Sequence, residues 1–566
     1  MGFIITLLLY AAFFVLNDLM REKPEDAKPA TGIKATTATE GRVVPIIWGT
    51  VKLEGPNIVW WGNLFQKAIK VTSGLIFKSK TTVGFQYFVG LQFGLCRGEV
   101  DELRKIWIGD KVVYSGVLSG AGAVTITDLK LFGGDKLGTG GIDGTLRFHN
   151  GDLTQIASTY LSTYQGISGE APAYRGNCYA VWEAGYIGNT EQLKPWKFEV
   201  RRIPDGLDLA TAHLGQNDAG DQLVNSNDAN IMNVAYEAFT DVDWGLGIAA
   251  ANIDLGDWRT AGGTLATEAN GFSFVLDKTV PMPEFIKMLE QQMDGVFYFD
   301  QASSKWKVNL ARGGYVVSSL PKFDSSTVVS VRSFSRQGWE DTTSEVRISF
   351  SDRSRDYFDT FGVAQDLANV RNQGGVNVST TIDMQGVKDP DLATNIAWRE
   401  LRTLSVPLAK ATITTDRQMY AVSPGSVIAW TDDFLGIVDL PMRVQRIQDG
   451  QLDDSKITFD LIEDVFEFQS ASGATNPTTL WELPSDTLIA MPATEQLVLE
   501  APRALVIRDD ENIPNRIFVA ARNQNDGAAL FKILHRNHPT TPVGDYTENG
   551  EGFDFMLIGE LNAAIT

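Results

Sequence analysis

Residues that bind metals or form thiol linkages are scarce in this sequence: two cysteines, Cys96 and Cys178, and four histidines, His149, His213, His535 and His538. The cysteines are far apart and in no C-x-x-C pattern, which excludes a cysteine metal cluster and reads as two buried thiols. Only His535 and His538 are close together, and a His-x-x-His pair in a loop before Pro539 lacks the two further ligands of a zinc site. No metal or other cofactor is expected. Runs of positive charge are missing too. The formal charge is −21, from 70 acidic against 49 basic residues, and no Lys/Arg stripe is long enough to track a phosphate backbone, which argues against specific nucleic-acid binding. An acidic surface would instead let DNA pass without sticking.

Long apolar runs are absent as well. The greasiest stretch, Phe3 to Leu16 in "MGFIITLLLYAAFFVLNDLMREKPEDAKPA", is shorter than the roughly 20 residues that span a bilayer. It has no basic leader and no following cysteine to accept a lipid. A helix apolar on every side must be enclosed, so bundling of several copies or insertion into an apolar channel is expected, with later membrane insertion left open. Catalytic groupings are missing in the same way. No Ser/His/Asp or Cys/His set stands out, and the carboxylate pairs Asp241/Asp243 and Asp432/Asp433 sit in turn-like contexts. The glycine-rich stretch Gly133–Gly144 follows a β run and opens no helix, unlike a phosphate loop. No catalytic residue is assigned. The alternatives are a polysaccharide depolymerase working through two carboxylates about 5 to 10 Å apart, a receptor-binding protein, and an envelope protein anchored by its first helix.

What is present is β structure. With 566 residues and 43% apolar content the chain can build roughly three to five domains. Short Val/Ile/Phe/Tyr runs recur between Gly-Asp and Asn-Gly signals, so the fold class is mainly β (α+β). In "EGRVVPIIWGTVKLEGPNIVWWGNLF" (Glu40 to Phe65), Val43–Trp48 and Ile58–Trp61 read as strands joined by a turn at Glu54–Asn57. Pro45 has no N–H for a ladder, so its strand should be an edge or be bulged. Neighbouring tryptophans Trp60 and Trp61 point to opposite faces of a strand, so one of them needs a second covering surface, a partner or another domain. A two-sided core within one chain is the plainer reading.

Four amphipathic helices are expected. Asp152 to Tyr164 would face Leu153, Ile156, Ala157, Tyr160, Leu161 and Tyr164 inward, with Asp152 as cap and Gln155 reaching back. Ile231, Val234, Ala235, Ala238 and Phe239 make a second face. Pro283 opens a third, which Asp294-Gly295 stops. The fourth follows Asp389-Pro390 and ends before Pro407. Between them Val296–Asp300 should pair with Lys305–Leu310 across a turn, and short strands from Met419 onward suit a small barrel.

Several segments resemble a known family. "LQFGLCRGEVDELRKIWIGDKVVYSG" (Leu91 to Gly116) is similar to a segment of tail-tip hub proteins of non-contractile-tailed phages; there Gly94 and Gly98 would permit a tight strand reversal and Cys96 a small buried filler. The Glu40–Phe65 stretch, "APAYRGNCYAVWEAGYIGN…PWKFEV", "NVAYEAFTDVDWGLGIAAANID", "DGVFYFDQASSKWKVNLARGGY" and "SPGSVIAWTDD…RVQRIQDG…DLIEDVF" resemble further hub segments in the same order. The likeness covers residues 1 to about 470 and is to the N-terminal hub part of the lambda-like host-specificity tail protein.

The resemblance implies a virion structural protein at the tail tip: a homotrimer that closes the distal end of the tail tube, each copy giving two tube-type β-barrels to a pseudo-hexameric ring. Its partners would be the distal tail proteins, the tape-measure protein and a further fibre or receptor-binding chain, with DNA only in transit and membrane contact on infection. The implied layout is a helix and spacer at 1–30, a first hub region at 31–205 with an inserted domain, an α+β domain at 206–320, a second tube-type domain with a helix at 321–470, and a β-rich domain at 471–566. Candidate interface residues are Phe3, Ile4, Leu7, Leu8, Phe13 and Phe14 in the first helix, with Pro45, Trp48, Trp60 and Trp61. Long relatives continue into fibres, so receptor recognition is expected on another chain.

Overall fold

The fold was analysed in a computed structural model, which describes residues 43–73, 79–134, 139–164, 171–209, 223–450 and 455–466, with the strand backbones at 496–500, 517–521, 534–535 and 547–548. The expected N-terminal helix, with Phe3 to Phe14, lies outside these residues, as does most of the β-rich domain expected at 471–566. Two compact units divide the chain, Met1–Asn476 and Pro477–Thr566.

The first unit begins with a ten-stranded sheet. Nine of its strands are β1 (Ile46–Glu54), β2 (Asn57–Ser73), β3 (Ser79–Arg97), β4 (Glu102–Ile108), β5 (Lys111–Ser119), β6 (Gly122–Asp128), β7 (Ile142–His149), β8 (Asn177–Gly188) and β9 (Trp196–Arg202), and the tenth is the later strand Phe274–Leu276, which pairs with β1. The order runs β5-β4-β9-β1-β3-β8-β7-β6, with β2 paired to β3. The end strands β5 and β6 are consecutive in the chain, so the sheet curls round one core. Alternate residues of β1, β3, β8 and β9 fill it: Ile47, Val51 and Leu53; Val89, Leu91 and Phe93; Ala180 and Trp182; Trp196, Phe198 and Val200. Period-2 alternation places each set on one face.

Two expectations about this region need correction. Pro45 is not inside an edge strand. The ladder starts one residue later, and Pro45 serves it through its carbonyl, which accepts the Arg97 N–H at 2.8 Å. β1 is central: it pairs with the strand Phe274–Leu276 over Ile46–Trp48 and with β9 over Gly49–Glu54. The change of partner falls at Gly49, whose φ of +67° and whose closeness to Ser273 (a Cβ would lie 2.0 Å from its Oγ) both require glycine. β1 and β2 are joined at Glu54–Asn57 as expected, and β2 pairs with β3. Gly94 also sits within β3 rather than at a reversal; the reversal is at Gly98, with φ of +90°.

The segment Asp152–Tyr164 departs furthest from its pattern. Only α1 (Thr159–Tyr164) is helical, and Leu153 and Ile156 are 76% and 75% exposed instead of inward. The Asp152 carboxylate accepts the Thr154 N–H at 2.6 Å, while the Gln155 amide accepts from Gly151 N–H at 2.9 Å and donates to the Ala173 carbonyl at 2.8 Å. These local and distant bonds hold a turn in place of a first helical turn.

A helical layer follows: β10 (Leu223–Val224), β11 (Asp228–Asn230), α2 (Ile231–Thr240), α3 (Leu255–Thr267), β12 (Gly271–Phe272), β13 (Phe274–Leu276), α4 (Met282–Met293) and the hairpin β14 (Gly295–Asp300) and β15 (Lys305–Leu310). Asn230 caps α2 by accepting the Met232 N–H, and Asp294 ends α4 in the left-handed region. These elements share a second core with Trp48.

Two further sheets complete the unit. β16 (Lys322–Phe323), β17 (Val328–Arg336), β21 (Ala409–Asp416), β22 (Val427–Asp432), β23 (Ile437–Asp449) and β24 (Lys456–Glu463) form a six-stranded sheet ordered β16-β22-β23-β24-β21-β17 around Trp430 and Phe459. Inserted in it, β18 (Glu345–Asp352), β19 (Phe358–Gln365), a short helix α5 (Leu367–Asn372) and β20 (Ser379–Asp383) precede α6 (Pro390–Leu404), whose Ala393, Ile396, Ala397 and Leu401 pack on the small sheet. Asp389 caps α6, as its sequence signal implies. In the second unit β25 (Gln496–Glu500) pairs with β26 (Ile517–Ala521), and β27 (Leu534–His535) with β28 (Thr547–Glu548), both antiparallel.

Candidate assembly interface

The long pair β2–β3 is the feature whose surface the described chain leaves least covered. The two strands pair from Asn57↔Gly94 to Ser73↔Ser79, with register shifts at Ile58/Trp60, Gly62/Phe65 and Ile69/Lys70. β8 supports β3 only from Tyr87 onward. Beyond that point no third strand is paired with Lys67–Ser73 or Ser79–Gln86 among the described residues. At about 3.3 Å per residue this ribbon extends roughly 20–25 Å past the sheet. Val83 on it is 53% exposed, and Phe65 at its root is 48% exposed. Phe65 stacks on Phe88 with centroids 4.5 Å apart, so its inner face is held and its outer face is bare.

The base of the same ribbon is covered. Trp61 packs on the sandwich core. Trp60, on the other face as alternation demands, meets Tyr160 edge-on at 6.3 Å within a satellite cluster of Leu161, Ala171, Tyr179 and Val181. Asn63 donates to the Tyr160 hydroxyl at 3.1 Å, and burial raises that phenol above its ordinary pKa. Gly90 makes room: a Cβ there would lie 2.4 Å from the Tyr160 oxygen. This chain's own α1 excursion thus packs on Trp60, which stays half-buried. Trp48 is fully buried. Its indole donates to Glu237 at 2.9 Å and stacks on Phe285 at 5.1 Å, and Arg202 grips the same carboxylate from the other side at 2.7 and 3.1 Å. It serves the second core.

Charge distinguishes the outer ribbon from the rest of the chain. No Asp or Glu occurs between Glu54 and Glu99 in an acidic sequence, whereas Lys67, Lys70 and Lys80 lie exposed on the ribbon. None of the three makes an ion pair with a described residue. That gap in acidic residues is the signal by which the ribbon was legible in the sequence, and strand reading alone missed it.

Other exposed apolar groups mark further surface. Phe361 and Val363 on β19 are 56% and 46% exposed, and Phe434 and Val438 at the β22–β23 turn are 97% and 77% exposed. The sequence-level carboxylate pairs are turn residues: Asp241 accepts the N–H groups of Asp243 and Trp244 at 2.8 and 3.0 Å, and Asp432 those of Phe434 and Leu435 at 3.0 and 2.9 Å. The glycine-rich stretch leads into strand β7. Cys96 and Cys178 are buried free thiols directly opposite each other on β3 and β8, and burial pushes the Cys178 thiol well up. Among the described residues no group of side chains could hold a metal ion, and no helix is long and apolar enough to cross a membrane.

Residues 284–447 match the model of a family described as "Putative phage tail protein". No curated protein matches the chain. Among solved structures, a protein from the virion of a native gene transfer agent particle has the same fold over 81% of this chain and 93% of its own, at 14% identity and a TM-score of 0.53. A 43 kDa tail protein of prophage MuSo2 from Shewanella oneidensis aligns over 70% of this chain and 97% of its own at 12% identity, with a TM-score of 0.26. A tail protein from Neisseria meningitidis MC58 aligns over 65% and 97% at 13% identity, with a TM-score of 0.28. The last two scores carry no argument about fold. The family match thus points to a phage tail protein over residues 284–447, and the gene transfer agent likeness shows the fold.

Proposed function

We propose that the chain is a hub subunit of the tail tip, three copies of which close the distal end of the tail tube of a siphovirus and form the channel through which tape-measure protein and DNA leave. The observation that carries this reading is the outer ribbon of β2 and β3. An isolated two-stranded ribbon is marginal in water, and one with two open edges and bare Phe65 and Val83 is a template for pairing with another chain. In a ring, each ribbon would lie against the next copy's ribbon, so that neighbours cover one another's edges.

A pseudo-hexameric ring from three copies needs two curled sheets per copy. The ten-stranded and six-stranded sheets are suited to that role. The family match over residues 284–447 supports the tail context for the second of them. Lys67, Lys70 and Lys80 change one expectation: where ribbons face the bore, DNA would meet lysines in a mixed wall rather than a uniformly acidic one. Distal tail proteins would sit on the exposed β19 and β22–β23 surfaces, and a further fibre or receptor-binding chain would carry host attachment. The test is the size and symmetry of the purified full chain by mass photometry and two-dimensional particle averages. A three-fold ring is expected; a monomer at micromolar concentration would count against the hub.

A further inference from the structure

A cavity of about 540 Å³ opens where three parts of the first unit meet. Its walls are Arg104 and Lys105 from β4, Glu199 from β9, Asn227 between β10 and β11, Arg353 after β18, and Lys388 before α6. Four cations therefore converge on one opening. Three of them are fixed by partners. Arg104 donates to Glu102 at 2.9 Å and to the Asn227 side-chain oxygen Oδ1 at 2.5 Å. Lys105 lies 3.5 Å from Glu199, whose same oxygen accepts the Tyr357 hydroxyl at 3.1 Å. Arg353 pairs with buried Asp228 and donates to Ser273 at 3.0 Å and to the Thr50 carbonyl at 3.3 Å, yet its buried Nε–H has no partner.

Lys388 differs from these three. Its ammonium makes no hydrogen bond or ion pair with a described residue. The nearby carboxylate of Asp389 is directed elsewhere, accepting the Asp391 and Leu392 N–H groups at 2.8 and 3.1 Å as the cap of α6. A half-buried ammonium with no carboxylate in contact is incompletely compensated, and a bound anion is the ordinary remedy. We propose that this cavity is a binding site for a phosphate-like oxyanion, with Lys388 as its direct ligand and Arg104 and Lys105 facing it across the opening. Burial, then the neighbouring Arg353 charge, lower the Lys388 pKa to about 8, and Asp228, Asp359 and Asp383 oppose them; an oxyanion would hold the amine protonated. Because the walls come from three parts of the fold, the bound ion would also clamp them together.

The oxyanion could be free or could end a small phosphorylated molecule, for which the cavity has room. Thermal unfolding of the full chain would be followed with inorganic phosphate and, separately, with glycerol 3-phosphate, each against potassium chloride at equal ionic strength. Saturable stabilisation by at least one ligand is expected, since a ligand that binds only the folded state raises its stability; the tighter ligand names the source. Lys388→Met should weaken that binding at least about tenfold, the value of one lost charge-assisted hydrogen bond, and Lys388→Arg should retain most of it. Mass-spectrometric labelling of Lys388 by an amine reagent should slow when the ligand is added to the wild-type chain, a readout that needs no variant. Stabilisation no greater than with chloride, equal stabilisation of Lys388→Met, or labelling indifferent to ligand would each overturn the site.

Discussion

The two ends of one ribbon meet different surroundings. At its base, Ile58 to Leu64 and Val89 to Leu95 lie between a sandwich core and the α1 excursion, and both tryptophans pack against their own chain. Past Tyr87 the same two strands carry Lys67, Lys70, Lys80 and Val83 with no third strand beside them. The hydrogen-bonded geometry is continuous, so the difference lies in what covers the side chains. Stability of the single chain should reside in the base, and assembly should reside in the outer part.

The largest expected effect is at the base. Trp182 is fully buried against Trp196, 5.3 Å away, and Trp182→Ala should cost about 3–5 kcal/mol in denaturant unfolding. Gly90→Val comes next. It would displace the Tyr160 hydroxyl and uncover Trp60, an overpacking cost of about 1–3 kcal/mol measured in the same way.

A smaller effect is set by pH. His149 stacks on Tyr179 of the satellite cluster at 4.3 Å, with its Nε2 buried and unpartnered. Burial first, and the Arg147 charge second, lower its pKa to about 4, with Glu183 opposing. Between about 4 and the unfolded value near 6.5 the unfolded chain binds the extra proton. Stability from this group is therefore complete above pH 6.5, falls as pH drops toward 4, and levels off below. A denaturation midpoint followed across that window should show the slope, and His149→Phe should flatten it. The smallest effect on the isolated chain is at the outer ribbon: Val83→Asp should change its stability by less than about 0.5 kcal/mol, as for other surface positions, while sharply reducing the oligomer fraction seen by mass photometry. A large stability loss there would erase the distinction between base and outer end.

Much of the fold was legible where local chemistry and packing agree. Pro283 and Asp294-Gly295 bound α4, Asp389-Pro390 opens α6, and the alternation at Lys305–Leu310 gives β15. The opposite orientation of Trp60 and Trp61 also followed from strand geometry. Legibility failed where a distant partner decides the outcome. The helical pattern of Asp152–Tyr164 is real, but the Gln155 amide is claimed by the backbone of Ala173 and Tyr174, which no local pattern reports. The length of β2 was hidden because its outer half mixes lysine, alanine and threonine instead of apolar residues alternating with polar ones. The cavity around Lys388 joins residues hundreds of positions apart in the chain, so only the folded chain reveals it.

Amide hydrogen exchange tests the division within the ribbon most directly, comparing residues 67–73 and 79–86 with residues 57–64 and 89–95 in the dissociated chain and in assembled tail tips. The account predicts fast exchange of the outer amides in the free chain and strong protection on assembly, with the base protected in both. Outer amides already as slow as the base in the free chain, or still fast in the assembled tip, would contradict it.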